Sequence, residues 1–167
     1  MIMLLDITDC QTAETVLNVQ IPSYHVEAGY IGSAEIPPLK DTAASLMNCG
    51  ETFLGYFLEE ELAGFLSYEV EGDEMIICRV AVHPSFFKKG IAQGLMLEAE
   101  KAERGINKWK VSTGTLNKPA INLYLKMGFV KTKDVMVQPD LWITCLEKQQ
   151  QISRSGLGFV KGQKGRG

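Results

Sequence analysis

No two of the four cysteines lie close together: Cys10, Cys49, Cys78 and Cys145 are spread along the chain without a CxxC pair. That spacing offers neither a disulfide framework nor a zinc-ligand set, and no metal is expected. Long apolar runs are missing too. The stretch Met75 to Val82 is interrupted by Arg79 and falls far short of the roughly 20 residues a membrane span needs. No Lys or Arg precedes Lys40, so the basic start of a secretory signal is not there. With 46% hydrophobic and 22% charged residues among 167, the composition is not that of a disordered chain. The expectation is a single reduced, cytoplasmic globular domain with no membrane partner.

Basic residues are almost absent from the first half. Residues 1–78 hold Lys40 alone against fourteen acids, a net −13. Residues 79–149 hold twelve bases and six acids, a net +6, and the last eighteen residues add four bases and no acid. Such runs are read either as solvated surface or as two fields that meet oppositely charged ligands, and both readings stay open at this point. Residues 1–149 together sum to −7, which disfavours contact with a phosphate backbone, so no nucleic-acid partner is expected.

The hydrophobic pattern predicts a strand over Met1–Leu5 and a helix over Thr12–Gln20 that Pro22 ends. Ser23 to Leu39, with its glycines and prolines, reads as loop, and Asp41 as the N-cap of a helix ending at Gly50. Thr52–Leu58, Leu62–Val70 and Met75–Val82 read as three strands joined by hairpin-length connections. A helix follows over Gly90–Arg104, then a strand Trp109–Thr113, a helix Pro119–Met127, and a hairpin of Val130–Val137 with Leu141–Glu147. The expected fold is α/β with a mixed sheet: an antiparallel meander, then strand–helix–strand–helix–strand, helices on both faces. Residues 1–149 form the expected domain. Residues 150–167, glycine-rich and basic, are expected to be a disordered tail.

Chemistry concentrates in two stretches. The first runs Val80-Ala81-Val82-His83-Pro84-Ser85-Phe86-Phe87-Lys88-Lys89-Gly90-Ile91-Ala92-Gln93-Gly94. A strand enters a Pro-marked loop, and two lysines precede a glycine that opens an amphipathic helix. Free N–H groups at a helix start, with the positive end of the dipole, suit an anion, and Gly90 and Ala92 leave room for close approach. The stretch matches neither the GxGxxG nor the GxxxxGK[ST] phosphate-binding pattern. The second stretch runs Thr113-Gly114-Thr115-Leu116-Asn117-Lys118-Pro119-Ala120-Ile121-Asn122-Leu123-Tyr124-Leu125-Lys126-Met127-Gly128-Phe129.

Together these stretches resemble the GNAT superfamily of acyl-CoA-dependent N-acetyltransferases. The first is similar to its V-x-V-H-P, x-x-G-x-G/A signature, the second to its N-x-x-A-x-x-x-Y-x-x-x-G-F element. The resemblance implies acetyl-CoA as co-substrate and direct acetyl transfer to an amine, without metal. It implies that backbone groups of Val80 and Val82 pair with the pantetheine arm, the Val82 amide facing the thioester carbonyl. Amides of Lys88, Lys89, Gly90, Ile91 and Ala92 would cradle the pyrophosphate, Asn117 would contact the pantetheine, and Tyr124 would protonate the departing thiolate. Two departures stand out. Phe87 occupies a position where the family usually has Gln or Arg, and Ile76-Ile77-Cys78-Arg79 lacks the strand Glu that serves many members as general base. Glu74 is the nearest acid on that strand, and the base stays unassigned.

His83 reads as a turn residue, His25 as a surface histidine, and Cys78 as a small apolar residue on a buried strand. The expected acceptor is a small-molecule or peptide amine, cationic in character, with a polyamine or lysine-like group leading. Glu27, Glu35 and Asp41 beside Tyr24 and Tyr30 in the acidic half would suit an ammonium, with Glu27 and His25 as candidate bases. The alternatives left open are a non-catalytic acyl-CoA-binding module of the same fold and a homodimeric assembly.

Overall fold

The computed structural model describes residues 1–32 and 36–150. Strand β1 (Ile2–Leu5) leads into helix α1 (Cys10–Ile31), a 3-10 turn at Pro37–Lys40 and a short α2 (Ala43–Met47). The meander is β2 (Thr52–Leu58), β3 (Glu61–Glu71) and β4 (Glu74–Val82). A 3-10 turn at Pro84–Phe86 precedes α3 (Ile91–Ala102), then β5 (Lys108–Gly114), α4 (Lys118–Lys126), β6 (Val130–Gln138) and β7 (Leu141–Gln149). The strands form one sheet in the order β1-β2-β3-β4-β5-β7-β6, parallel only between β4 and β5. This is the mixed sheet the sequence predicts. One face packs Leu66, Met75, Leu95, Met96, Phe129 and Leu146 under α3 and α4, and the other packs Val16, Leu46, Phe53 and Phe65 under α1 and α2. The tail beyond Gln150 lies outside the described residues.

Helix α1 is the main correction. It does not stop at Pro22 but runs for 22 residues, taking in most of the stretch read as loop. Asp9 caps it, its carboxylate accepting from the Thr12 N–H at 2.9 Å. The buried stripe Ala13, Val16, Gln20, Tyr24, Ala28 and Ile31 keeps helical spacing straight through the proline. Packing that stripe on the sheet offsets the hydrogen bond that Pro22 cannot make, and Gly32 at φ 71° ends the helix. The cap of α2 is likewise Thr42 and not Asp41: Thr42 and Ser45 exchange backbone-to-side-chain bonds of 3.1 and 2.9 Å.

Two irregularities of β4 shape the region around its far end. Ser67 of β3 faces Arg79 and Tyr68 faces Ile77, so Cys78 is an extra, bulged residue. The bulge shifts the alternation of β4 by one. Met75 and Ile77 pack under α3 and α4, whereas beyond the bulge Val80 and Val82 take that face and Ala81 joins the α1 side. Cys78 itself is exposed, which corrects its reading as a buried apolar residue. The second irregularity is a fork: β4 and β5 pair only from Glu74–Lys108 to Ile76–Lys110, then diverge.

Candidate active site

A cavity of about 460 Å³ lies beside this fork, between α1, the far end of β4, the start of α3 and the start of α4. All nine positions singled out in the sequence line it: Val80, Val82, Lys88, Lys89, Gly90, Ile91, Ala92, Asn117 and Tyr124. The His83 N–H bonds the Ala63 carbonyl of β3 at 2.9 Å. By the alternation of a strand, the amides of Val80 and Val82 therefore point the other way, into the fork. The Val80 amide meets the Tyr24 hydroxyl there.

At the start of α3, Lys88 (φ 64°) and Gly90 (φ 75°) are both left-handed, which curls the loop around its own N–H groups. A Cβ on Gly90 would meet no protein atom within 4 Å, so the space above that amide is open. The first-turn amides of α3 have no partner within the helix and face the same side as the dipole's positive end. That arrangement suits an anion. Upstream, His83 is the turn residue the sequence suggests, its Nδ1 accepting from the Ser85 N–H at 3.1 Å.

A second cavity of about 320 Å³ lies on the other side of the same wall. Its lining is mostly apolar, with Ile31, Ile36, Pro37, Pro38, Leu141 and Ile143 among its residues. Five residues line both cavities: Glu27, Val80, Asn117, Ala120 and Tyr124. Glu27, one of the two candidate bases read from the sequence, stands in that wall. Because α1 continues past Pro22, Glu27 sits on a helix face one turn before Ile31 instead of in a loop. Its Oε1 accepts from the Thr113 hydroxyl at 3.2 Å, the Asn117 amide donates to Thr113 Oγ1 at 3.2 Å, and Asn117 and the Gly114 N–H also bond Glu27. Burial nevertheless dominates and pushes the Glu27 carboxyl above its ordinary value. Asn117 also caps α4, its Oδ1 accepting from the Ala120 N–H at 3.3 Å. The signal for Glu27 in the sequence is its i, i+4 spacing from Ile31 within the buried stripe.

Tyr124 is buried at the shared wall, its phenol pushed up by loss of water and then by the Glu27 charge. Tyr24 is pushed up for the same two reasons, desolvation first. Both are protonated donors at neutral pH. Other expected members are elsewhere. Tyr24 and Tyr30 are not an aromatic pair: Tyr24 is buried, while Tyr30 is exposed at the larger cavity. His25 is exposed, Glu35 lies outside the described residues, and Asp41 is held by Arg79, Gln20 and Ser45. Glu74 sits at the opposite end of β4, bound to Lys110 at 2.8 Å. Cys78 reaches solvent, but partial desolvation, with Glu51 and Glu69 nearby, pushes its thiol up to about 12. It is no nucleophile at neutral pH.

The sequence model of the acetyltransferase (GNAT) family matches residues 16–129, which include every residue lining the larger cavity and all of the shared wall. The chain belongs to the GNAT acetyltransferase family. This GNAT chain is 34% identical over 144 residues to the UPF0157 protein YqkA of Bacillus subtilis, covering 86% of the chain and 42% of that protein. It is 29% identical over 93 residues to the spermidine N(1)-acetyltransferase of Thermoplasma acidophilum, covering 54% of the chain and 58% of the relative. It thus spans about half the length of these curated relatives. Its fold matches the crystal structure of the PaiA N-acetyltransferase of Thermoplasma acidophilum in complex with coenzyme A, at 24% identity and a TM-score of 0.66, over 90% of this chain and 99% of that one. Among the described residues of the GNAT chain, no helix is long and apolar enough to cross a membrane.

Proposed function

We propose that this chain transfers an acetyl group from acetyl-CoA to a primary amine by direct attack while both are bound. The thioester arm takes the larger cavity and the amine the smaller. The observation that carries this is the shared wall: Glu27, Val80, Asn117, Ala120 and Tyr124 line both spaces, so two reactants meet only there.

The residues divide the work. Amides of the Lys88–Ala92 loop hold the pyrophosphate, and the Val82 N–H donates to the thioester carbonyl oxygen, where negative charge develops. Glu27, whose raised pKa brings it nearer neutrality, takes the proton of the entering ammonium and frees the nitrogen lone pair. The new C–N bond forms as the C–S bond breaks, and the sulfur leaves with its electron pair. Tyr124 donates to that thiolate and regains a proton from the nitrogen, which sheds its second as it becomes an amide. The Tyr124 phenol resists losing a proton while Glu27 is charged. Once Glu27 has accepted the amine's proton that repulsion is gone, so proton uptake at one end of the wall favours proton release at the other.

The acceptor is a cationic amine, of the polyamine or lysine-like class. A desolvated carboxylate at the end of an apolar cavity suits an ammonium on an aliphatic stem, and the likeness to a spermidine acetyltransferase agrees with a cationic acceptor. A screen of polyamines, amino acids, aminoglycosides and peptide N-termini, followed by thiol detection of released CoA, tests the proposal. Turnover restricted to cationic amines is expected. Tight acetyl-CoA binding without CoA release from any amine would make the chain a binding module instead.

A further inference from the structure

The Arg79 guanidinium lines the smaller cavity, yet all three of its nitrogens are already engaged. Nε and Nη2 bond the two Glu51 oxygens at 3.0 and 3.2 Å, and Nη1 bonds Gln20 Oε1 at 3.1 Å as well as Asp41 Oδ2. Gln20 has no solvent exposure, and its Nε2 donates to the Pro38 carbonyl and to Asp41 Oδ2, both at 2.8 Å. Asp41 Oδ1 accepts from Ser45 Oγ at 2.7 Å. These bonds tie β4, α1 and α2 to one segment, Ile36 to Asp41, with Glu51, just before β2, holding Arg79 from the other side.

That segment is also seated by Ile36, buried in the α1-side core, and by Leu39 packed against it, but beyond Ile36 its hold is thin. Its 3-10 turn buries no residue of its own and has no side-chain cap. Ile36, Pro37 and Pro38 nevertheless form a wall of the smaller cavity. The Cys78 bulge makes the tie possible, because the extra residue turns Arg79 onto the α1 side of the sheet.

We propose that Arg79 is the positioning residue of the amine site: it fastens the Ile36–Asp41 segment across that cavity and so sets acceptor affinity, without touching acetyl-CoA. This rests on reading the smaller cavity as the amine site. Lysine cannot replace it, since a single ammonium cannot span the Glu51 carboxylate as a fork and reach Gln20 and Asp41 at once.

The test is Arg79→Lys, which keeps the charge between Asp41 and Glu51. The acceptor KM should rise about tenfold, the scale of one lost charge-assisted hydrogen bond, with kcat and the acetyl-CoA Kd close to wild type. Hydrogen exchange should quicken at Leu39, whose N–H bonds the Ile36 carbonyl at 3.0 Å, and stay unchanged in α3. Should Arg79→Lys not fold, Gln20→Met removes the bonds to Pro38, Asp41 and Arg79 Nη1, leaves the Arg79–Glu51 fork in place, and carries the same comparison. An unchanged acceptor KM, an equal rise for both substrates, or unaltered exchange at Leu39 would overturn the proposal. If the wild-type chain acetylates no amine, the reading of the cavity fails by itself. Unaltered exchange at Leu39 would then reject the clamp, and faster exchange would keep it as a fastening of that wall.

Discussion

Ile31 packs directly over Gly114: the Cβ of any larger residue at 114 would overlap the Ile31 Cγ2 methyl. The end of α1 sits directly on the end of β5, and Glu27 lies one helical turn before that contact. The Gly114 N–H is also one of the donors to Glu27. Seat and carboxylate are set by one glycine.

Gly114→Ala therefore pushes α1 away from β5. The expected cost is about 1–3 kcal/mol of stability, as for other overpacked sites, with a fall in kcat from the displaced carboxylate. Urea unfolding and steady-state kinetics on the same variant check both. An alanine that changes neither would show that α1 is not seated by this contact.

Glu27→Gln should separate stability from activity. The folded protein raises the Glu27 pKa, so deprotonating it costs more in the fold than in the unfolded chain. That cost is absent below the ordinary carboxylate range, grows as pH rises from there to the raised value, and is complete above it. The variant should melt higher than wild type near pH 7, with the gap closing in acid. Its kcat should fall by about 10²- to 10⁴-fold as a base is lost, with unchanged acetyl-CoA affinity.

Tyr124→Phe keeps the ring packed against Phe129, 6.0 Å away between centroids, and removes only the hydroxyl. A drop in kcat of about 10²-fold with little change in acetyl-CoA Kd is expected for one lost proton donor. Unaltered kcat together with an unaltered pH–rate profile would remove Tyr124 from the chemistry.

Gly90 separates strain from blockage. At φ 75° any L-residue costs roughly 1 kcal/mol, yet nothing in the protein lies where its Cβ would go. Gly90→Asn, which tolerates the left-handed region better than most residues, should fold more readily than Gly90→Leu. Both should weaken CoA in calorimetric titration, the leucine more. Wild-type affinity in the leucine variant would place the pyrophosphate elsewhere.

For a cationic acceptor, kcat/KM should fall as ionic strength rises, because salt screens attraction to the acidic half of the chain. A neutral or anionic best substrate with a flat salt response would contradict the assigned acceptor class.

The order of strands and helices was legible from hydrophobic spacing. The nine cavity positions were read from the GNAT-like motif pair. Both depend on neighbours in sequence: a strand followed by a glycine-opened helix makes the same cradle in any fold that exposes it. Pro22 misled because its missing N–H is a local penalty, whereas the packing that offsets it is spread along the stripe from Ala13 to Ile31. The mixed sheet and the absence of an acid on Ile76–Arg79 follow from the sequence by itself, and acetyl-CoA as co-substrate from the resemblance its motifs carry. Only the tertiary structure decided which carboxylate stands at the shared wall. Glu27 and Thr113 are 86 positions apart, and Arg79 and Gln20 are 59 apart. Contacts across such separations arise when the two faces of the sheet are packed and the Cys78 bulge has set the phase of β4, and spacing along the chain carries no record of either.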